Sequence, residues 1–253
     1  MPRPIFLHEV IDIVGQASVP YMEHTKAQAG AEKVDSFELV GTFSVMGITG
    51  RWPQVVNIWE LPGGWAGWRS AVDRLNLKRP SNQALHGWWE QAYTYRTGGF
   101  DRLMAGHPGC PDIAGLLASG TTGTLFVHEV TEVRPGAALD YLDAVRDVRA
   151  SLLADHGHRL TGLYEVLLTD TEVVTLWATD VDAHVGLGRC WDATRGLLDD
   201  EEAAAAGVEP DERLLSWEVI ARDLTVRRRE ELLTPAPGTV VGPPAWVQDD
   251  SVR

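Results

Sequence analysis

Residues 5–14 read IFLHEVIDIV, and residues 125–134 read LFVHEVTEVR. A chain that writes one strand phrase twice, 120 positions apart, has two similar halves to place, and few architectures accommodate that. The match continues in order. The first phrase is followed by a helix-like SVPYMEHTKAQAG and two strand-like runs, FELVGTFSV and QVVNIWEL. The second is followed by AALDYLDAVRDVRASLLADHG, with Leu139, Leu142, Val145, Leu152 and Leu153 on one broad face, then LTGLYEVLL and EVVTLWATD. Gly41 corresponds to Gly162, Phe43 to Tyr164, and VVNIW to VVTLW, which aligns Trp59 with Trp177. Each half then has a helical stretch, LHGWWEQAYTYR or GLGRCWDATRGLL, and a last strand candidate, DRLMA (101–105) or ERLLSWEVI (212–220).

The order β-α-β-β-α-β, written twice, is that of the ferredoxin-like unit. One such unit covers one sheet face with two helices and leaves the other bare. Two units in one chain can cover each other, sheet against sheet. The expected fold is therefore α+β, with a first unit over 1–106, a linker over 107–123 and a second unit over 124–223. Residues 224–253 are expected to be a helical turn followed by an extended Pro-rich tail. The linker, HPGCPDIAGLLASGTTG, has room for one helical turn at DIAGLLA, and EEAAAAG (201–207) is expected to continue or follow the last helix.

The segment LVGTFSVMGITGRWPQVVNIWEL resembles a signature of the NIPSNAP-like proteins: a Leu-Val-Gly strand, a turn, and a Val-Val-x-hydrophobic-Trp strand. The resemblance is strongest at 39–60 and weaker at 160–177. It implies the dimeric α/β-barrel superfamily, in which two ferredoxin-like units pair between chains or within a tandem chain. That superfamily includes cofactor-free monooxygenases, haem enzymes and isomerases, so it implies a fold more firmly than an activity. Many relatives carry an inward arginine on the first strand, where this chain has Glu9 and Glu129.

Composition narrows the partners. The net charge of −14 disfavours nucleic acid and anionic membranes, and no apolar run approaches the ~20 residues of a membrane span. The N-terminus enters a strand pattern without a secretory signal, and the two cysteines make neither a metal spacing nor a disulfide framework, so a cytoplasmic setting is expected. A count of 10 tryptophans suggests broad apolar walls.

Along the repeated strand, one row is Ile5, Leu7, Glu9, Ile11, Ile13 and the other Phe6, His8, Val10, Asp12. Periodicity does not decide which row faces the barrel. The family resemblance favours the glutamate row. Burial would raise a carboxyl pKa toward the range useful for proton transfer, so Glu9 and Glu129 are the candidate acid–base groups, with His8 and His128 tuning or relaying the proton. The bland alternative is two structural His-Glu pairs satisfied by hydrogen bonds. Asn57 and Tyr164 are candidates to orient a substrate oxygen. Trp65, Trp68, Trp88 and Trp89, all in the first half, are candidates for an aromatic wall around an apolar or cationic ligand, with Tyr93 and Tyr95 to supply hydroxyls, and their enrichment places the pocket there; Trp59 and Trp177 are further lining candidates. Trp59 and Trp177 also match the family's core position.

These residues support a cofactor-independent enzyme acting on a hydrophobic small molecule, by isomerisation, cyclisation, dehydration or hydration. A non-catalytic binding or interaction protein is the alternative. A haem protein, with His156, His158 or His184 as candidate ligand, is the third reading. No metal site is expected from the spacing, and a homodimer stays open.

Overall fold

The structure, a computed structural model, describes residues 3–30, 37–78, 83–198, 201 and 207–246. Its first half contains β1 (Ile5–Ile13), α1 (Ser18–Gly30), β2 (Glu38–Val45), β3 (Gln54–Leu61), α2 (Trp65–Val72), α3 (Gln83–Ala92) and β4 (Arg96–Gly106). A connecting helix, α4 (Ile113–Ser119), leads to β5 (Leu125–Val133), α5 (Ala138–Ala144), α6 (Ala150–Asp155), β6 (Arg159–Val166) and β7 (Glu172–Thr179). The chain finishes with α7 (Val181–Thr194), α8 (Glu212–Leu224) and β8 (Thr225–Pro235). A π-helical turn, Asp73–Leu77, extends α2, and another, Val145–Arg149, joins α5 to α6.

The eight strands close into one barrel in the order β1-β3-β2-β8-β5-β7-β6-β4. In the first lobe, β1 lies between β3 and β4, and β2 pairs with β3. In the second, β5 lies between β7 and β8, and β6 pairs with β7. The lobes meet along β2–β8 and β4–β6, so every strand is paired on both sides and no sheet edge is left open. This is the α+β, ferredoxin-like architecture expected from the element order, with both units in one chain.

Three layers hold it together. The barrel interior packs Phe6, Phe43, Ile58, Phe126, Tyr164 and Leu176. Outside it, the second-lobe helices pack on their sheet through one continuous cluster that includes Tyr141, Leu153, Trp177 and Trp217. The first-lobe layer is instead divided into two smaller clusters, one around Ile11 and Tyr21 and one around Ile5 and Leu61. Glu9 falls between them on β1.

The repeated glycines have a steric cause. A Cβ on Gly41 would lie 2.4 Å from the Phe43 ring, and one on Gly162 would lie 2.3 Å from the Tyr164 ring. Each glycine sits at a register shift in its strand, which lets the aromatic two residues on fold across it.

Three expectations are corrected. First, the histidine row faces the barrel: Phe6 and Val10 lie in the interior cluster, while Ile11 and Ile13 pack on the helix side with Tyr21 and Met22. Glu9 and Glu129 therefore point toward the helices. Second, ERLLSWEVI is helical. Asp211 caps α8 by accepting from Arg213 N at 3.0 Å, and Leu214, Trp217 and Ala221 are buried at helical spacing. Third, the last strand of the second lobe comes from the segment expected to be tail, since β8 occupies Thr225–Pro235. The end of that segment, 247–253, lies outside the described residues, as does most of EEAAAAG.

Candidate active site

β1 is hydrogen-bonded to β3 and β4, and its register sets Glu9 opposite Asn57 on one side and Asp101 on the other. All three side chains point toward the helices and line a cavity of about 460 Å³. Its walls are Trp59 on β3, Trp68 on α2, and Trp88 and Trp89 on α3, with Phe37 and Leu75 completing the apolar surface. Ala29, near the end of α1, closes one side. Trp88 and Trp89 meet edge to face at 4.9 Å, and His24 stacks on Trp88 at 5.1 Å, so the aromatic wall is itself packed from behind.

Glu9 is half-buried. Its Oε2 accepts from Trp59 Nε1 at 2.6 Å and from Asn57 Nδ2 at 3.0 Å. Asn57 is held by Thr42, whose hydroxyl donates to Asn57 Oδ1 at 2.6 Å, and this fixes which end of the amide faces Glu9. Among the described residues, Oε1 has no hydrogen-bond donor and Glu9 has no ion pair. Burial, and then repulsion from Asp101, push the Glu9 carboxyl above the ordinary carboxylate range, against the pull of the two hydrogen bonds and of Arg96. Asp101 is also raised, first by burial, with Arg96 opposing. Arg96 itself stacks on Trp89, 4.9 Å from the ring centre. Tyr21 on α1 is fully buried near Glu9, and its phenol is pushed up to about 12, chiefly by burial and next by Glu9, so it is a neutral hydroxyl at working pH.

The second lobe repeats this frame with a different outcome. Glu129 stands opposite Thr175 and Glu230 in the ladder. Thr175 donates to Glu129 Oε2 at 2.8 Å, and Trp177 Nε1 donates to Thr175 at 3.0 Å. Arg149 donates one guanidinium nitrogen to Glu129 and the other to Glu230 at 3.0 Å. Its guanidinium lies 5.4 Å from the Trp177 ring centre and 5.2 Å from that of Trp217. A second cavity of about 650 Å³ borders this cluster, with His158, His184 and Trp191 in its wall.

The structure thus brings together Glu9, Asn57, Trp59, Trp68, Trp88 and Trp89 of the residues singled out in the sequence. Trp65 and Tyr93 do not line the cavity. They are exposed, packing on Trp68 at 5.7 Å and on Trp89 at 5.5 Å. Tyr164 is in the barrel interior against Phe6, and Trp177 belongs to the second cavity. His8 and His128 line neither of these cavities. They meet across the barrel, Nε2 to Nε2, at 3.0 Å, with His128 Nδ1 at 3.0 Å from Glu231. His156 pairs with Asp211 at 3.1 Å, and His158 Nε2 lies 3.3 Å from His184 Nδ1. Asp101, Ala29 and Phe37 escaped the sequence reading. Asp101 would have been visible by its match to Glu230, had β8 been aligned with β4 in place of the α8 segment.

No protein-family model matches the sequence, and no curated protein matches it. Solved structures do match its fold. A provisional monooxygenase from Fusobacterium nucleatum aligns with TM-score 0.56 at 10% identity, covering 92% of each chain. One from Lactobacillus acidophilus aligns with TM-score 0.56 at 9% identity, over 92% of this chain and 94% of that one. An anthrone oxidase-like protein aligns with TM-score 0.56 at 14% identity, over 93% and 92%. Fold and comparisons together define the class: a single-chain barrel of the dimeric α/β type.

Proposed function

We propose that this protein is an enzyme whose first-lobe cavity carries out acid–base chemistry on a hydrophobic small molecule, with Glu9 moving the proton and no cofactor taking part. The observation that carries the reading is a carboxylate raised above its usual range, with no ion pair among the described residues, in a tryptophan-walled cavity. Glu9 Oε1, which has no donor among the described residues, takes a proton from the substrate. Oε2 stays anchored by Trp59 and Asn57, so the carboxylate does not swing. A raised pKa makes the carboxylate a stronger base and makes its protonated form a usable acid for the return step. Isomerisation, cyclisation, and loss or gain of water all use these two steps. The names of the fold neighbours favour an enzyme of small molecules. The NIPSNAP-like kinship and a tandem duplication belong to the same reading, supported by the matched Gly41/Gly162 shifts and the Trp59/Trp177 positions.

The test is deuterium incorporation from D2O into a panel of apolar carbonyl and hydroxy compounds, read by mass spectrometry. Glu9→Gln keeps the shape and the anchoring contacts. It should lower exchange by ~10²-fold or more while the far-UV dichroism is unchanged. Wild-type exchange in Glu9→Gln would end the reading. A compound that binds without exchange would favour the carrier alternative. The haem alternative rests on His184 in the second cavity, and requires a Soret band on haemin titration that His184→Ala abolishes.

A further inference from the structure

The two lobes differ at one place that matters for what the first cavity holds. In both, a glutamate on the central strand and a carboxylate opposite it face a tryptophan on the neighbouring strand: Glu9, Asp101 and Trp59 in one, Glu129, Glu230 and Trp177 in the other. In both, a tyrosine on the first helix is fully buried beside the glutamate, Tyr21 or Tyr141. The interval from Tyr21 to Tyr141 is the interval from Glu9 to Glu129. Along the helix, the extra residue of the π-helical turn Val145–Arg149 sets Arg149 against the Gln28–Ala29 step of α1, and both residues of that step line the first cavity.

The second lobe therefore contains its own occupant. The Arg149 guanidinium binds both carboxylates of the pair and lies against two indoles. In the first lobe that step supplies an uncharged amide, Gln28, and the methyl group of Ala29, and the space beside them is cavity. The carboxylates remain without an ion pair among the described residues, and three further indoles (Trp68, Trp88 and Trp89) surround the gap. Among the described residues, Arg96 is stacked on Trp89 and acts on the two carboxylates only at a distance, without an ion pair to either.

We propose that the first-lobe cavity binds an organic cation, a guanidinium or protonated amine on a flat apolar body, at the place that Arg149 fills in the second lobe. This deepens the enzyme reading, on which it rests, by naming the substrate class. One carboxylate neutralises the charge and the other remains for the proton. Indole faces add to the attraction for a cation that has left water, and the apolar walls hold its body. An anionic substrate is disfavoured by the same two carboxylates.

The experiment compares phenylguanidinium with phenylurea, which share a shape and differ in charge. Binding to the full chain near neutral pH is read by tryptophan fluorescence and calorimetry. Phenylguanidinium should bind tighter by on the order of 10-fold or more. Glu9→Gln combined with Asp101→Asn should erase the preference and leave phenylurea binding in place. Ala29→Arg should lose the cation, because the chain then supplies its own. Equal or tighter binding of phenylurea, or no binding of either probe, overturns the proposal. So does phenylguanidinium binding that Ala29→Arg leaves unchanged. Should Ala29→Arg fail to fold, the carboxamide pair decides alone. Turnover does not enter this readout. A Glu9→Gln variant that still exchanges protons would sink the general-base reading without touching cation binding, and a failed charge preference would do the reverse.

Discussion

At the scale of the residue, Glu9 and Glu129 show how one position in one frame acquires two roles. Glu129 is fully buried, yet its charge is matched by Arg149 and a threonine hydroxyl. Removing the arginine would leave an uncompensated buried carboxylate, and Arg149→Met is expected to cost about 3–5 kcal/mol in a denaturant melt. Glu9 has no such partner among the described residues, and its carboxyl is raised by burial and by Asp101, so its native site favours the proton more than the unfolded chain does. Between the ordinary value of 4.5 and the raised native one, the folded protein holds more protons here than the unfolded chain does. Stability is thus lost as pH rises through that window, and above it Glu9 is a standing destabilisation. Glu9→Gln should therefore raise the melting temperature at neutral pH, and the gain should shrink toward pH 4. A fall in melting temperature at neutral pH would show that Glu9 is a structural group. Stabilisation with loss of turnover is the pattern of a residue retained for chemistry.

At the scale of the element, most of the fold was legible. Short strands with period-2 patterning, and Gly and Trp at matched places, were enough to locate β1 to β3 and β5 to β7. β8 was not, because its sequence, TVRRREELLTP, has no apolar alternation until its end. Its residues are charged because of where they point: Glu230 turns to Arg149 on the helix side, and Glu231 turns inward to His128. The apolar residues of ERLLSWEVI fit either period over so short a run, and the Asp211 cap and the burial of Leu214, Trp217 and Ala221 decide for helix. The inward row of β1 was unreadable for the same reason, since both rows carry apolar residues around one polar group. Two element-level outcomes follow. A chain ending at Leu224 lacks the strand that joins β2 to β5, and should lose its cooperative melt, whereas one ending at Trp246 should keep it. Gly41→Ala and Gly162→Ala should each destabilise by roughly 1–3 kcal/mol, because the displaced neighbour is a buried ring inside the barrel.

At the scale of the whole molecule, the barrel exists because each lobe covers the other, and the polar contacts that join them include the Arg102–Glu172 ion pair and a fully buried histidine pair. His128 Nδ1 donates to the Glu231 carboxylate, and of the facing Nε2 atoms of His8 and His128 one donates and the other accepts. His8 Nδ1 is buried and has no partner among the described residues. Burial, the neighbouring His128 and Arg102 together hold the His8 pKa well below 6.5. The unfolded chain takes a proton at His8 below about pH 6.5, and the native barrel resists it. Stability from this group is complete above that pH and is lost as pH falls toward the depressed native value. The lost stability belongs to both lobes, because a proton on His8 sets an imidazolium against the His128 ring of the opposite lobe, with Arg102 opposite His8 in the β1–β4 ladder. His8→Gln keeps a donor for His128 and does not titrate. Its unfolding free energy, followed by urea denaturation below pH 6.5, should fall less steeply than that of the wild type, by up to about 1.4 kcal/mol per pH unit. Parallel slopes in the two proteins would mean that the acid sensitivity comes from His107, His158 and His184, which burial also lowers, and that the junction tolerates the proton.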